Sequence, residues 1–408
     1  MSSSNWLYLI IGLLIFGFIF EKILDFINTR NWKKEIPLSV ANYYDRQKYE
    51  KARLYHKEKG KIALFQSIIG FCITLFALVF GWFGMLDNLI GDFAENPFYK
   101  ASVFFVIIFL ISEILSLPFS LFNTFVIEEK YGFNKMTIKT YVLDKIKGYL
   151  LAAIIGGGLL YLAILTIDWA GQGYWLWLWT GLSIFMLLIN MFYADFILPL
   201  FNKLTQINDG GLKDEINKFA SKVGYSIKNI YIIDGSKRST KGNAFFSGIG
   251  PRKTIALYDT LIEKHTKEEI VAILAHEIGH YKKKHILTSF IISIFQTGLT
   301  LFLLEYFLSK PNISLALGAS KESFHIGIIA FGMIFSPLGL IIGIGMNVLS
   351  RINEFEADAY AKNNYDGESL SVALKKLSVD SLSNLYPHKA YVFVHHSHPP
   401  LLERLKQL

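Results

Sequence analysis

Residues 266–284 read TKEEIVAILAHEIGHYKKK and carry the strongest local signals in the chain. Thr266 and Glu269 have the spacing of a capping box, so they predict that a helix starts here and runs to about Lys284. The turns that precede the histidines, residues 271–275, are wholly apolar, so this helix is expected to be buried. The histidines and the glutamate that follow are polar and need partners in such a place.

These polar residues are His276, Glu277 and His280. Histidines four residues apart project from one helical face, about 5–6 Å apart at Cβ, which suits two imidazole nitrogens that bind one Zn²⁺. A glutamate directly after the first histidine can act as general base toward the attacking water. Two surface histidines on a solvated helix are the alternative, and the apolar preceding turns disfavour it. The motif therefore predicts a zinc peptidase site.

Composition indicates a membrane protein. Of 408 residues, 52% are hydrophobic and 18% are charged, and the mean hydropathy is +0.37. Soluble domains carry about 25% charged residues. A membrane helix needs about 20 apolar residues. Seven stretches qualify: residues 6–27, 62–86, 101–126, 148–167, 174–200, 286–308 and 324–349.

The first stretch is expected to be a membrane helix rather than a signal peptide, because it lacks a basic start and a small-residue cleavage site. Charge alternates along the following connections. Residues 30–61 are rich in Lys and Arg and residues 128–147 are rich in Lys, whereas residues 87–100 are mostly acidic. The positive-inside rule then places the N-terminus outside or in a lumen and the C-terminus in the cytoplasm. The net charge of +8 is assigned to cytoplasmic loops beside the lipid bilayer, and no nucleic-acid partner is expected.

Four parts are predicted from this topology. Residues 1–200 hold membrane helices 1–5 with basic cytoplasmic loops, and residues 201–285 form a cytoplasmic zinc-protease segment. Residues 286–350 hold membrane helices 6 and 7. Residues 351–408 form a cytoplasmic C-terminal segment that supplies the third zinc ligand.

The segment 201–285 has the pattern of a small α/β unit. A helix is predicted over residues 212–223 and a strand over residues 229–234. Two further strands, 243–246 and 254–258, flank a Gly-Ile-Gly-Pro stretch at residues 248–251 that is typical of a hairpin turn.

A catalytic zinc site keeps three protein ligands and one open position, so a third ligand is required. Glu354 and Asp358 lie four residues apart on one predicted helical face, while Glu356 points to roughly the opposite side. One of the pair could bind the metal and the other could orient a zinc histidine. Spacing alone leaves open that all three acids form a solvated face.

Three motifs stand along the chain: H-E-x-G-H at 276–280, S-R-x-x-E-x-x-A-D at 350–358 and S-H-P-P-L-x-x-R at 397–404. With these motifs the chain resembles the type I CaaX prenyl protease family of integral-membrane zinc proteases. The resemblance covers nearly the whole chain, and Tyr281 stands where the family more often has Trp. Three segments add to it, at residues 51–55, 128–134 and 242–246.

The resemblance implies a mainly α, polytopic fold, in which a ring of seven membrane helices encloses a large chamber capped by a small α/β zinc-protease domain. It implies one Zn²⁺ per chain and an extended or prenylated CaaX peptide as substrate, from which the C-terminal tripeptide is removed. The implied site consists of the ligands His276, His280 and Glu354, the base Glu277, the orienting Asp358, the site-lining His398 and Arg404, and a peptide-binding edge strand of Asn243, Ala244, Phe245 and Phe246.

Other residues are given lesser roles. His285 also matches a family position, but about 140° of helix rotation separates it from His280, so a structural role is expected. Glu113, Asp195 and Glu305 lie in apolar spans, where acids usually face a cavity or a partner.

Two other functions stay open. A quality-control peptidase that cuts misfolded membrane proteins would use the same chemistry. A transporter or channel with a regulatory metal site would show paired, broken helices, and the sequence has no such repeat. The membrane is either the bacterial inner membrane or the endoplasmic reticulum.

Overall fold

A computed structural model describes residues 1–33, 35–93, 96–227, 229–247 and 254–408, without the side chains of residues 246 and 247. This part of the chain forms fifteen α-helices and four strands. The helices are Ser3–Arg30 (α1), Arg46–Val79 (α2), Trp82–Gly91 (α3), Pro97–Phe122 (α4), Ile138–Ala170 (α5), Tyr174–Phe192 (α6), Leu198–Phe201 (α7), Gly211–Lys222 (α8), Asp259–Lys264 (α9), Lys267–Lys282 (α10), His285–Leu308 (α11), Phe324–Asn364 (α12), Gly367–Asp380 (α13), Lys389–His395 (α14) and Leu401–Arg404 (α15). The strands are Leu204–Gln206 (β1), Asn229–Ile233 (β2), Ala244–Ser247 (β3) and Thr254–Tyr258 (β4).

Seven helices of the described chain are long and apolar enough to cross a membrane: α1, α2, α4, α5, α6, α11 and α12. Each overlaps one of the seven predicted stretches, so the prediction of a seven-helix membrane protein is confirmed. Two of these helices continue through π-helical turns, α4 through Asn123–Glu128 and α6 through Tyr193–Ile197.

The membrane helices close into a ring. Each contacts the next in the order α1, α2, α4, α5, α6, α11 and α12, and α12 packs back against α1. Except for an added contact between α4 and α12, each helix of the ring touches two membrane-helix neighbours, which leaves an outer and an inner face free. At most 22% of the apolar core window of any of these helices is buried. The inner faces are therefore not packed against one another, and the ring encloses a chamber as expected.

The predicted second stretch, 62–86, is wrong at its C-terminal end. Helix α2 stops at Val79, and Gly81 adopts a left-handed conformation, with φ of +64°, that only glycine enters at no cost. The chain then restarts as α3, which packs on α4 and on the turn at Leu315–Leu317. Hydropathy continues across this break and so cannot reveal it.

The acids in the membrane helices have partners. Glu113 forms an ion pair with Lys145 across α4 and α5, with 2.5 Å between Oε1 and Nζ. Glu305 accepts the backbone N–H groups of Gly173 and Trp175 at 2.6 and 2.9 Å, and thereby caps the N-terminus of α6. Asp195 lies in the π-helical turn at the end of α6.

The α/β unit is a four-stranded sheet in the order β1-β2-β4-β3, with α10 packed on it. Strand β4 runs parallel to β2 and antiparallel to β3, where Ala244 pairs with Leu257 and Ser247 with Thr254. The predicted hairpin strands are thus confirmed, and the predicted turn at 248–251 lies outside the described residues. Ile255 and Leu257 are fully buried beneath α10, so the sheet supports the motif helix from below.

Helix α12 joins the membrane ring to this unit. It runs 41 residues without interruption, from Phe324 to Asn364, and its last turns pack against α10. The predicted boundary between residues 350 and 351 falls inside it. The last membrane helix and the acid-bearing segment therefore form one continuous element.

Candidate metal centre

Helix α10 is fixed by its cap and its core. Thr266 Oγ1 accepts the Glu269 N–H at 3.3 Å, and Glu269 Oε2 accepts the Thr266 N–H at 3.3 Å, so the predicted capping box is confirmed. Lys376 on α13 also binds Glu269, with 2.6 Å between Nζ and Oε1. Residues 271–275 lie in the core between the sheet, α8 and α13. The histidines at the end of this helix are consequently held on a rigid support.

Gly279, inside the motif, lets α12 approach α10 closely. A Cβ atom at Gly279 would lie 3.1 Å from Tyr360 Cβ and 3.2 Å from Ala357 Cα. These distances are shorter than ordinary van der Waals contact, so a larger side chain would push the two helices apart. Glycine here brings the acids of α12 within reach of the two histidines.

Three side chains converge in this contact. The Nε2 atoms of His276 and His280 are 3.2 Å apart. Glu354 Oε2 lies 3.5 Å from His276 Nε2, and Glu354 Oε1 lies 3.3 Å from His280 Nε2. His276 and Glu354 are buried and His280 is partly exposed. These three residues form a group whose ligand atoms could hold one metal ion.

The spacing matches a tetrahedral cation. Two ligand atoms about 2.0–2.1 Å from Zn²⁺ and at the tetrahedral angle are about 3.3–3.4 Å apart. Glu354 Oε2 is buried and makes no hydrogen bond with the described residues, although nitrogens of His398 and Arg404 lie within ion-pair distance of it. A buried carboxylate oxygen without such a bond, beside two imidazole nitrogens at this spacing, fits a bound cation.

The far side of His276 is held by an ion pair. Its Nδ1 lies 2.9 Å from Asp358 Oδ1, and Arg404 binds the same carboxylate with Nε and Nη2 at 2.8 and 2.5 Å. Arg404 Nη1 also lies 3.3 Å from Glu354 Oε2. Asp358 and Arg404 are both buried. This bidentate pair fixes the carboxylate that orients the first histidine.

Two further predicted residues lie at the open side of the cluster. His398 Nδ1 is 3.0 Å from Glu354 Oε2, while 69% of the His398 side chain is exposed. Glu277 is partly exposed, and its carboxylate takes no part in the hydrogen bonds or ion pairs of the cluster. Both side chains can therefore reach a molecule that approaches the three convergent residues.

The predicted peptide-binding segment lies at the edge of the sheet. Ala244, Phe245 and Phe246 belong to β3, whose outer side carries no further strand of the described chain, and Asn243 precedes the strand. The Asn243 carbonyl accepts the Tyr258 N–H at 3.0 Å. The Phe245 ring contacts Tyr193 in the π-helical turn that follows α6, with 6.4 Å between centroids. The edge of β3 thus lies beside the end of a membrane helix.

The position expected for His285 is wrong. Helix α10 ends at Lys282, Lys284 adopts a left-handed φ of +61°, and α11 begins at His285. This reversal brings His285 Nδ1 to 3.0 Å from His280 Nδ1. Helical rotation cannot be counted across a break, and the three lysines at residues 282–284 were a signal for a helix end that could have warned of it.

Burial and neighbouring acids act in opposite directions on His276. Burial lowers the pKa of its imidazole, but hydrogen bonds to Asp358 and Glu354 raise that pKa from 6.5 to about 9 when no cation is present. The protonated imidazole therefore stabilises the metal-free fold fully below pH 6.5, and this contribution is lost as the pH rises through about 9.

Metal binding is expected to depend strongly on pH for the same reason. A metal ion must displace the His276 proton below pH 9, so its apparent affinity should rise about tenfold per pH unit between pH 7 and 8 and level off above about 9. Competition with a chelator, corrected for the chelator's own protonation, measures this. An affinity that is unchanged between pH 7 and 8 would contradict the assignment.

The structure joins a ring of membrane helices to an α/β unit, and its His-Glu-x-x-His helix faces a glutamate of the last membrane helix. Together these features define a membrane-embedded metallopeptidase. Comparisons with known proteins agree. The family model "CAAX prenyl protease N-terminal, five membrane helices" matches residues 26–203, and "Peptidase family M48" matches residues 206–408. The chain belongs to this family of CAAX prenyl proteases, within peptidase family M48.

Individual relatives cover the whole chain. The CAAX prenyl protease 1 homolog of Arabidopsis thaliana is 34% identical over 98% of this chain and 96% of its own length. CAAX prenyl protease 1 of Saccharomyces cerevisiae is 32% identical over 99% of this chain and 95% of its own. The crystal structure of S. mikatae Ste24p matches with a TM-score of 0.93 at 32% identity, over 98% of both chains. This chain is therefore a multi-pass membrane metalloprotease.

Proposed function

We propose that the chain is a zinc endopeptidase, with His276, His280 and Glu354 as the zinc ligands. The convergence of their ligand atoms at 3.2–3.5 Å is the observation that carries the proposal. Two imidazoles and one carboxylate are a ligand set that zinc peptidases use. When bound, the cation would supply an attacking water of lowered pKa and would polarise the scissile carbonyl.

Glu277 acts as the general base and acid. It follows His276 on a rigid helix, so its carboxylate projects beside the ligand atoms without joining them. It takes a proton from the attacking water and later gives that proton to the leaving amine. Within the described part of the chain this carboxylate joins no ion pair of the cluster, so it is available for both steps.

His398 and Arg404 differ in what they can touch. The exposed His398 ring is placed to hold the carbonyl oxygen of the substrate and to stabilise the oxyanion that develops there. Two nitrogens of the buried Arg404 are bound to Asp358. We therefore assign Arg404 a positioning role through Asp358 and His276, in place of the direct contact with substrate that the family resemblance implies.

The substrate is proposed to be a peptide that adds to the edge of β3 as an extended strand. Backbone groups of Asn243, Ala244, Phe245 and Phe246 would pair with it, a common mode of peptide recognition. The names of the relatives support a prenylated CaaX peptide as substrate. We propose that this peptide loses its C-terminal tripeptide. The chamber enclosed by the membrane helices offers apolar surface for a lipid chain.

The active site is proposed to face the cytoplasm. Lys59, from the basic segment before the second span, binds Glu128 at 3.0 Å, and Lys241 of the α/β unit binds the same glutamate at 3.2 Å. The basic segment therefore lies on the same side of the ring as the α/β unit. Basic loops favour the cytoplasmic side, so the N-terminus lies outside or in a lumen.

Cleavage of a farnesylated CaaX peptide beside the same peptide without its lipid tests the substrate assignment. We expect purified full-length protein to release the C-terminal tripeptide from the farnesylated peptide with a much higher kcat/KM. Equal rates for the two peptides would overturn lipid recognition and favour a quality-control peptidase. A peptide with a shuffled C-terminal sequence and the same lipid serves as the matched control for sequence preference.

A further inference from the structure

His280 is contacted on the side away from the metal ligands by a second imidazole. His280 Nε2 faces His276 and Glu354, while its Nδ1 lies 3.0 Å from His285 Nδ1. His285 Nε2 in turn lies 3.2 Å from Glu356 Oε2. The three side chains form a row that runs outward from the ligand cluster.

The ring nitrogen that carries the proton can be assigned for each imidazole in this row, starting from Glu356 at the outer end. A carboxylate only accepts hydrogen bonds, so His285 carries its proton on Nε2 and donates it to Glu356. The Nδ1 of neutral His285 is then an acceptor, and His280 must donate from its own Nδ1. This leaves the lone pair of His280 on Nε2, which is the atom that faces His276 and Glu354.

We infer that His285 is a positioning residue that holds His280 in the ring orientation and tautomer required of a metal ligand, with Glu356 fixing His285. The inference rests on the proposed metal site. Each ligand histidine then depends on one acid of α12: Asp358 contacts His276 directly, and Glu356 acts on His280 through His285. Ligand histidines commonly hydrogen-bond a carboxylate, backbone carbonyl or water through the other ring nitrogen, and here an imidazole fills that place.

The backbone is arranged to deliver His285 to this position. Lys284 adopts a left-handed φ of +61°, a backbone conformation that residues other than glycine rarely adopt, and the next residue starts α11. His285 is buried at the first position of that helix. Such strain is retained where the surrounding structure depends on it.

The space around the pair explains why a protein group is needed there. A cavity of about 390 Å³ borders both rings, and its lining mixes apolar side chains such as Phe290 with the polar Ser289, Ser350 and Asn353. Without His285, the Nδ1 of His280 would face this cavity and would have only mobile water, or no partner, in place of the imidazole. The ring would lose the contact that fixes its rotation.

Metal affinity of the intact protein tests the inference apart from catalysis. We expect His285→Ala to weaken Zn²⁺ binding, measured by chelator competition, about 10–100-fold, the usual effect of losing a group that orients a metal ligand. Glu356→Gln should weaken Zn²⁺ binding less, because the amide oxygen can still accept the hydrogen bond from His285 Nε2–H. The d–d absorption of bound Co²⁺ should change in His285→Ala, since the geometry at His280 changes.

Two further variants separate positioning from folding. In His285→Gln the amide oxygen can accept a hydrogen bond from His280 Nδ1–H, so most of the Zn²⁺ affinity should return. His325→Ala removes a similar imidazole–carboxylate contact, His325 to Asp87 at 2.7 Å, at the opposite end of α12 from Glu354, and should leave affinity and the Co²⁺ spectrum unchanged.

Each outcome decides a different claim. Affinity within twofold of wild type and an unchanged Co²⁺ spectrum in His285→Ala would overturn the inference while the metal site stands. The inference would also be overturned if the loss of Zn²⁺ affinity in His285→Ala were fully accounted for by a lower Tm of the metal-free protein and His285→Gln did not restore the affinity. Wild-type protein that binds no stoichiometric Zn²⁺ would overturn the proposed function itself.

Discussion

Replacement of Glu277 by Gln is expected to lower the kcat for peptide cleavage by about 10²–10⁴, the usual contribution of a general acid–base, while one zinc per chain is retained. The amide has nearly the same shape as the carboxylate but cannot accept a proton from water. Because Glu277 is not among the convergent ligand atoms, the metal site should be unaffected. Tripeptide release and zinc content, measured on the same preparation, provide the two readouts.

Glu263→Gln is the matched control for this variant, because Glu263 is an exposed glutamate in α9 outside the cluster. Its activity should equal that of wild type. If Glu277→Gln cleaved peptide at the wild-type rate with full zinc content, Glu277 would not be the base. A transporter or channel with a regulatory metal site predicts instead that neither wild type nor variant cleaves peptide, since its metal has no catalytic step to support.

Replacement of Asp358 by Ala is expected to affect both folding and metal binding. Arg404 would keep its buried guanidinium but lose the carboxylate that binds two of its nitrogens. Removal of one partner from a buried ion pair costs about 3–5 kcal/mol of folding stability. His276 would also lose the acceptor of its Nδ1 proton, which should weaken zinc binding about 10–100-fold. Apparent Tm in detergent and chelator competition measure the two effects.

The double variant Asp358→Ala with Arg404→Leu separates these effects. Removal of both charges abolishes the unpaired guanidinium, so much of the lost thermal stability should return. Zinc affinity should stay low, because His276 still lacks its orienting acid. A single variant Asp358→Ala with wild-type Tm and wild-type zinc affinity would contradict the role given to the pair.

Local patterns in the sequence predicted much of this molecule. The membrane helices are marked by runs of apolar residues, and the start of α10 by the spacing of Thr266 and Glu269. The four-residue separation of Glu354 and Asp358 was enough to predict that both face one side of a helix. These features depend on neighbours within one or two helical turns, which composition and spacing describe well.

Features that depend on a change of chain direction were not predicted. The partner of Asp358 is Arg404, 46 residues further along, and no spacing rule joins them. The contact of His285 with His280 depends on the left-handed Lys284, and the separate helix α3 depends on Gly81. At these points tertiary packing selects the backbone conformation. A prediction that extends the helix through them therefore assigns the wrong contacts to the side chains that follow.

Zinc K-edge X-ray absorption on the purified full chain, wild type beside Glu354→Ala, is the most direct test of the three-ligand assignment. We predict a wild-type first shell of two imidazole nitrogens and carboxylate or water oxygens at about 2.0–2.2 Å, with four atoms in all. The Glu354→Ala variant should lose the carboxylate contribution and most of its zinc. An unchanged spectrum and zinc content in Glu354→Ala, or a six-oxygen shell in wild type, would contradict the proposed zinc centre.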